Sequence, residues 1–270
     1  MRLFALWVQA GLKTLIRTPR AAFFTLVFPL ILLVLIDSTN SGTVTAAGGK
    51  VDMAQYFTPS LAVFGLSFAC YTSLVFSIPR AREQGILKRI RSTPLEPRIY
   101  IGSLIAVALL GGIASVTLMI VVGVAAFGVQ VYPHLLPAAF VTLVLGGLCL
   151  ASLGLAVSSF VVRADTAPVV ANLTLLPLTF ISGVFSPLHG APQWVISIAH
   201  FFPLSHLVDA FYRTFSPHTT GSGFAWGDLA VLALWTAVGA RIAVRRFRWD
   251  PVGPRSRGRE REPDVSAAAG

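Results

Sequence analysis

Charged residues are scarce in this sequence. Asp, Glu, Lys and Arg make up 12% of its 270 residues, whereas a soluble domain carries about 25%. Hydrophobic residues make up 55% of the chain. This composition excludes an ordinary soluble domain and indicates an all-α protein that crosses a membrane several times.

Cysteine is almost absent. The two cysteines, Cys70 and Cys149, both lie in apolar stretches. We interpret them as packed thiols rather than as a disulfide, so they do not indicate a compartment.

Six apolar segments approach the length that a hydrocarbon layer of about 30 Å requires. They are residues 21–36, 56–78, 99–127, 135–162, 166–185 and 226–244. The polar, glycine-bearing interval 37–55 predicts a loop. Residues 1–17 predict an amphipathic helix lying at the membrane interface. We expect residues 1–250 to form one membrane domain and residues 251–270 to form a disordered tail.

The positively charged residues are concentrated on one side of this predicted topology. Of the 21 Lys and Arg residues, 19 fall on the same face of this topology, and only Lys50 and Arg213 fall on the other. The positive-inside rule therefore predicts that both termini, loop 80–98 and the turn at 163–165 are cytoplasmic. The same rule accounts for the net charge of +10 without a nucleic-acid partner.

The long segment between the fifth and sixth spans predicts two short helices on the external side. The first begins after Pro192 and ends near His200, and the second follows Pro203 with apolar residues at helical spacing. Two interpretations remain open: a packed lid that caps the bundle, or a substrate site.

The sequence lacks an energy source and a catalytic centre. The nearest fragment to a nucleotide-binding Gly-x-x-x-x-Gly-Lys-Ser/Thr motif, at residues 48–51, lacks the first glycine and the hydroxyl. The first five spans contain no Asp, Glu, Lys, Arg or His, which counts against a proton relay or Asp-based catalysis in the membrane. The five histidines lack the spacing of a helical metal pair. We therefore expect no enzyme activity, metal or cofactor in this chain.

Loop 80–98 is the densest internal run of charge. Ile86, Leu87 and Ile90 form the apolar face of a short helix. The basic residues that we expect on its other faces are Arg82, Lys88, Arg89 and Arg91. From charge alone, this helix would bind the surface of an anionic membrane.

The residues Glu83-x-Gly85-x-x-x-Arg89-x-x-x-Thr93-Pro94-Leu95 resemble the signature after the second span in permease subunits of type 2 ABC exporters. Bacterial drug-resistance permeases belong to that family. The segments 180–187 and 192–210 are similar to the family's end of span five and external half-helices. The resemblance extends over nearly the whole chain, to about Arg248.

The resemblance implies a six-span subunit of the bacterial cytoplasmic membrane that forms a homodimer or a paralogous heterodimer. It also implies a separate cytoplasmic ATPase that binds ATP and Mg²⁺ and docks on loop 80–98. Glu83 would be the acidic docking residue, Gly85 would allow close approach, and Arg89 with Thr93 and Pro94 would fix the turn.

The leading hypothesis is therefore the permease of an ATP-driven exporter of hydrophobic or amphipathic molecules, such as drugs or lipids. A polysaccharide exporter is the alternative within the family. A standalone channel or lipid-interacting membrane protein, which needs no ATPase, is the alternative outside it.

Overall fold

The structure is a computed structural model that describes residues 2–17, 23, 27–39, 42–46, 49–92, 97–187 and 192–246. Helices dominate these ranges. They are α1 (Arg2–Arg17), α2 (Phe28–Thr39), α3 (Met53–Ser67), α4 (Ser73–Glu83), α5 (Ile86–Arg91), α6 (Pro97–Phe127), α7 (Leu136–Ser158), α8 (Ala167–Ile181), α9 (Gln193–Phe201), α10 (Pro203–Arg213) and α11 (Trp226–Arg246). The strands β1 (Thr43–Ala46) and β2 (Gly49–Asp52) pair antiparallel.

One long helix forms the centre of the bundle. A π-helical turn at Phe68–Thr72 joins α3 to α4, so that the helix runs without a break from Met53 to Glu83. Its 31 residues extend for about 46 Å, which exceeds the thickness of a bilayer's hydrocarbon core. Side chains such as Leu61, Leu66 and Ile78 are fully buried, and the helix packs against both α6 and α7, so it lies at the centre of the core.

Glycine allows α7 to pack closely on this central helix. A methyl group added at Gly154 would lie 2.7 Å from the carbonyl oxygen of Tyr71, at the π-helical turn. Small residues of this kind let two membrane helices approach each other closely. The cysteines are also as expected, since Cys70 and Cys149 are free, buried thiols.

Four helices of the described residues are long and apolar enough to cross a membrane: α3–α4, α6, α7 and α11. The pair α9 and α10 would make a fifth span if the two were counted as one, but they bend by 93°. The helices α2 and α8 are apolar but shorter. The chain is thus a polytopic helical membrane protein, with four or five spans by length. The beginning of the first predicted span lies outside the described residues.

The prediction of a loop at 37–55 was wrong. The helix α2 continues to Thr39, the strands β1 and β2 follow, and the backbone N–H of Met53 donates to the carbonyl of Gly42. Asp37 is buried in α2, where its carboxylate accepts a 3.3 Å hydrogen bond from the hydroxyl of Thr58. The prediction missed this buried acid because it ended the first span at Ile36, three residues before the end of α2.

The amino-terminal helix α1 packs along α6. The ring of Trp7 meets that of Tyr100 edge to face, with centroids 5.5 Å apart. Leu3 and Leu6 are exposed, as in a helix with an apolar face available to lipid. The amphipathic helix is confirmed, and its place at the membrane interface stays a prediction.

Candidate coupling site

A tight elbow joins α4 to α5. The helix α4 ends at Glu83, the N–H of Gly85 donates to the carbonyl of Arg82, and α5 begins at Ile86. Gly85 has φ of +68°, the left-handed conformation that glycine adopts without steric cost. Among the described residues, no atom lies within 4 Å of where its Cβ would be, so there the backbone conformation rather than crowding favours glycine.

The apolar face of α5 anchors it to the bundle. Leu87 and Ile90 are buried in a small cluster with Ala81 and Tyr100. The opposite side of α5 exposes cationic residues, including Lys88 and Arg89. The amphipathic helix predicted for loop 80–98 is confirmed, and it presents a basic surface to the outside of the bundle.

Arg82 is buried at the end of α4, with 1% of its surface exposed. Its guanidinium donates to the carbonyl oxygens of Val161, at 2.9 Å, and Ser158, at 3.4 Å. Ser158 is the last residue of α7, so the positive charge lies where the helix dipole is negative and where carbonyls lack helical partners. The prediction that Arg82 lies on an exposed face was wrong.

Glu83 contacts the turn between α7 and α8. Its Oε1 accepts a 2.8 Å hydrogen bond from the backbone N–H of Ala164. The flanking residues of this turn pair with each other, since Arg163 donates to both carboxylate oxygens of Asp165 at 3.1 Å and 2.7 Å. These hydrogen bonds hold the pKa of Asp165 below its usual range.

The structure brings together three of the five residues predicted for coupling. Glu83, Gly85 and Arg89 lie on the elbow, whereas Thr93 and Pro94 lie outside the described residues. Sequence reasoning missed Arg82 and the backbone of the 163–165 turn. The sequence did contain one signal for this contact. Arg82 lies next to Glu83 at the predicted cytoplasmic end of a span, on the same side of the membrane as the 163–165 turn.

The two neighbouring side chains Arg82 and Glu83 fasten the central helix to the α7–α8 connection. The face of α5 that contacts Tyr100 fastens the elbow to α6 as well. A force applied to α5 therefore acts on three membrane helices rather than on one. Within the described ranges, no three His, Cys, Asp or Glu side chains gather as a metal site would need.

Comparison with known proteins agrees with this architecture. Residues 31–245 match the family model described as ABC-2 family transporter protein. The chain is also 25% identical over 200 residues to the probable multidrug ABC transporter permease YbhR, both from Escherichia coli strain K12 and from Escherichia coli O157:H7. The aligned part is 74% of this chain and 54% of the relatives, so the chain spans about half of their length. Because the family model extends over most of the chain, this protein belongs to the ABC-2 transporter family.

Proposed function

We propose that this chain is the membrane permease subunit of an ATP-driven exporter, and that a separate cytoplasmic ATPase docks on α5. The observation that carries the proposal is the elbow. It exposes Lys88 and Arg89 to a partner, and it is tied through Arg82 and Glu83 to the membrane helices that a transport cycle has to move.

Because the sequence contains no nucleotide-binding motif, we assign ATP binding and hydrolysis to the partner. Uphill transport needs an energy source, and the ATPase would bind ATP and Mg²⁺ and hydrolyse the nucleotide. Closure of two ATPase subunits would shift two permease subunits, identical or paralogous, between inward and outward openings. The cargo would be hydrophobic or amphipathic, such as a drug or a lipid.

The proposed topology retains six spans. In this arrangement α2 and α8 each form part of a membrane span. The helices α9 and α10 are two half-helices on the external side. Both termini and α5 then face the cytoplasm of a bacterial cell. Cysteine accessibility in intact cells tests this topology: a cysteine in place of Gln84 should react only after permeabilisation, and one in place of Thr220 should react before it.

Glu83 has two candidate roles. The family resemblance implies an acidic docking residue for the ATPase, whereas the hydrogen bond to Ala164 supports a positioning role inside the permease. We favour the positioning role, and assign docking to the exposed cations of α5.

Co-purification with the candidate ATPase tests the proposed function. The double substitution Lys88→Ala and Arg89→Ala should reduce the amount of ATPase retained by the permease by about tenfold, because a docking surface loses two charged contacts. The matched control replaces Lys13 and Arg17, two exposed cations of α1.

Two results would contradict this proposal. One is unchanged retention of the ATPase by the α5 variant. The other is cargo movement in proteoliposomes that needs no ATP or ATPase, as expected of a channel or of a protein whose α5 binds only anionic lipid.

A further inference from the structure

A polar cavity of about 830 Å³ lies at the end of the bundle opposite the elbow. Tyr56, in the first turn of α3, is part of its wall, and about 40 Å of helix separates Tyr56 from Glu83. The other walls come from β1, α9, α10 and the segment 216–224. This volume is within the range of pockets that hold drug-sized ligands.

Aromatic rings form one wall of the cavity. The rings of Tyr56 and Tyr212 lie 5.1 Å apart, and the hydroxyl of Tyr56 donates to the carbonyl of Gly183. Tyr212 is 4% exposed, and its buried hydroxyl has no hydrogen-bond partner among the described residues. A buried hydroxyl without a partner is costly, so a ligand that reached it would be stabilised.

The carboxylates of Asp209 and Asp228 both line the cavity, but they differ in their hydrogen bonding. The Oδ1 atom of Asp228 lies 2.7 Å from Nδ1 of His206, whose Nε2 lies 2.9 Å from the carbonyl oxygen of His200. Asp228 is therefore occupied in joining α9, α10 and α11. Asp209 is different: within the described residues, no hydrogen bond or ion pair engages its carboxylate.

The side chain of Arg213 also lines the cavity, one turn of α10 beyond Asp209. The ion pairs found among the described residues join Arg163 to Asp165 and His206 to Asp228, so Arg213 does not neutralise Asp209. An ionised carboxylate accepts hydrogen bonds but cannot donate them. Asp209 is exposed to the cavity, where His200 and His206 interact with it electrostatically, and its carboxylate is open to a positively charged donor from a ligand.

We propose that this cavity binds the cationic ammonium group of an amphiphilic organic molecule, between the carboxylate of Asp209 and the rings of Tyr56 and Tyr212. Ammonium groups pair with carboxylates and lie favourably over aromatic faces. The remaining volume accommodates the body of the molecule. This inference rests on the proposed function when it names the molecule as cargo, and it then restricts the exported class to organic cations.

Binding to the purified permease, without any ATPase, tests the site independently of the coupling mechanism. The probe is benzylammonium, a ring with a charged N–H donor, in neutral maltoside micelles at pH 7, and its binding is followed by saturation-transfer NMR of the ligand. Benzenesulfonate, which has a similar ring and the opposite charge, is the matched control probe. The cation should bind measurably, and the anion should bind at least about tenfold more weakly.

Three variants locate the bound cation. Asp209→Asn keeps the shape of the side chain and should weaken cation binding by about tenfold, because it removes the unpaired charge. Arg213→Gln should leave the affinity unchanged or raise it, since it removes a repelling charge. Tyr212→Phe should weaken binding by about threefold, because it removes the hydroxyl without a partner.

Equal binding of benzylammonium by wild type and Asp209→Asn would overturn the proposal, and so would preferential binding of benzenesulfonate. The thermal unfolding midpoint of each variant shows whether its fold is retained. If Asp209→Asn does not fold, the affinities of Arg213→Gln and Tyr212→Phe for the cation test the proposal instead. Short-chain phosphatidylethanolamine separates two sources of the ammonium group. Displacement of the probe identifies a lipid headgroup, and no displacement identifies a free organic cation.

Discussion

The carboxylate of Glu83 accepts a 2.8 Å hydrogen bond from the backbone N–H of Ala164, 81 positions along the chain. This contact joins the end of the central helix to the turn between α7 and α8. Arg82 makes a parallel connection to the end of α7 from the adjacent position. The basic segment after the central helix is therefore attached to the membrane bundle by specific contacts rather than extending from it as a free loop.

Substitution of Arg82 by Met should destabilise the protein. Methionine fills much of the same space but leaves the carbonyls of Ser158 and Val161 without their charged donor. Hydrogen bonds of this kind contribute about 2 kcal/mol. We expect the thermal unfolding midpoint in detergent to fall by several degrees. Arg80→Met, an exposed arginine two positions earlier, is the control and should leave the midpoint nearly unchanged. Equal midpoints for the two variants would contradict the structural role of Arg82.

Substitution of Gly85 by Ala should impair coupling more than folding. A left-handed residue with a Cβ costs about 1–2 kcal/mol, and the elbow can relieve this strain by changing the direction of α5. Gly128 is a matched control because it has the same φ of +68° and equally open surroundings, but follows the far end of α6. Both variants should lose similar stability, measured by thermal unfolding. Only Gly85→Ala should lower ATP-driven transport per ATPase bound; a similar loss of transport in Gly128→Ala would assign the effect to stability.

Substitution of Gly154 by Ala should push α7 away from the central helix. The added methyl would lie 2.7 Å from the backbone carbonyl of Tyr71, which cannot move aside as a side chain can. Overpacking of this kind costs about 1–3 kcal/mol. Gly227→Ala in α11 meets no atom within 4 Å and should be neutral or slightly stabilising, because alanine favours helix. Thermal unfolding of both variants measures the difference, and an unchanged midpoint for Gly154→Ala would contradict the close packing.

The sequence was sufficient for features that depend on local pattern. Apolar runs located the long helices, the spacing of Ile86, Leu87 and Ile90 predicted the face of α5, and Pro192 with Pro203 marked the beginnings of the two short helices. Each of these signals lies within one or two helical turns of the residues concerned.

The features that sequence reasoning missed depend on distant partners. Arg82 can be buried only because two carbonyls at the end of α7 receive its charge, and no spacing near Arg82 reveals them. The strands β1 and β2 escaped notice because the polar, glycine-bearing composition around them is typical of a loop, although Val44 and Val51 pair across the ladder. Sequence reasoning did not single out Asp209, since its place in a cavity depends on how α9, α10 and β1 come together.

The central claim is that Glu83 transmits force by holding the elbow against the α7–α8 turn. The measurement that tests it most directly is the number of cargo molecules transported per ATP hydrolysed, in proteoliposomes that contain the permease and its ATPase. Glu83→Ala removes the acceptor for the N–H of Ala164, so we predict that ATP hydrolysis continues while this ratio falls by about tenfold. Glu83→Gln retains a carbonyl acceptor and should keep most of the wild-type ratio. A wild-type ratio in Glu83→Ala, or an equal loss in both variants, would contradict the account.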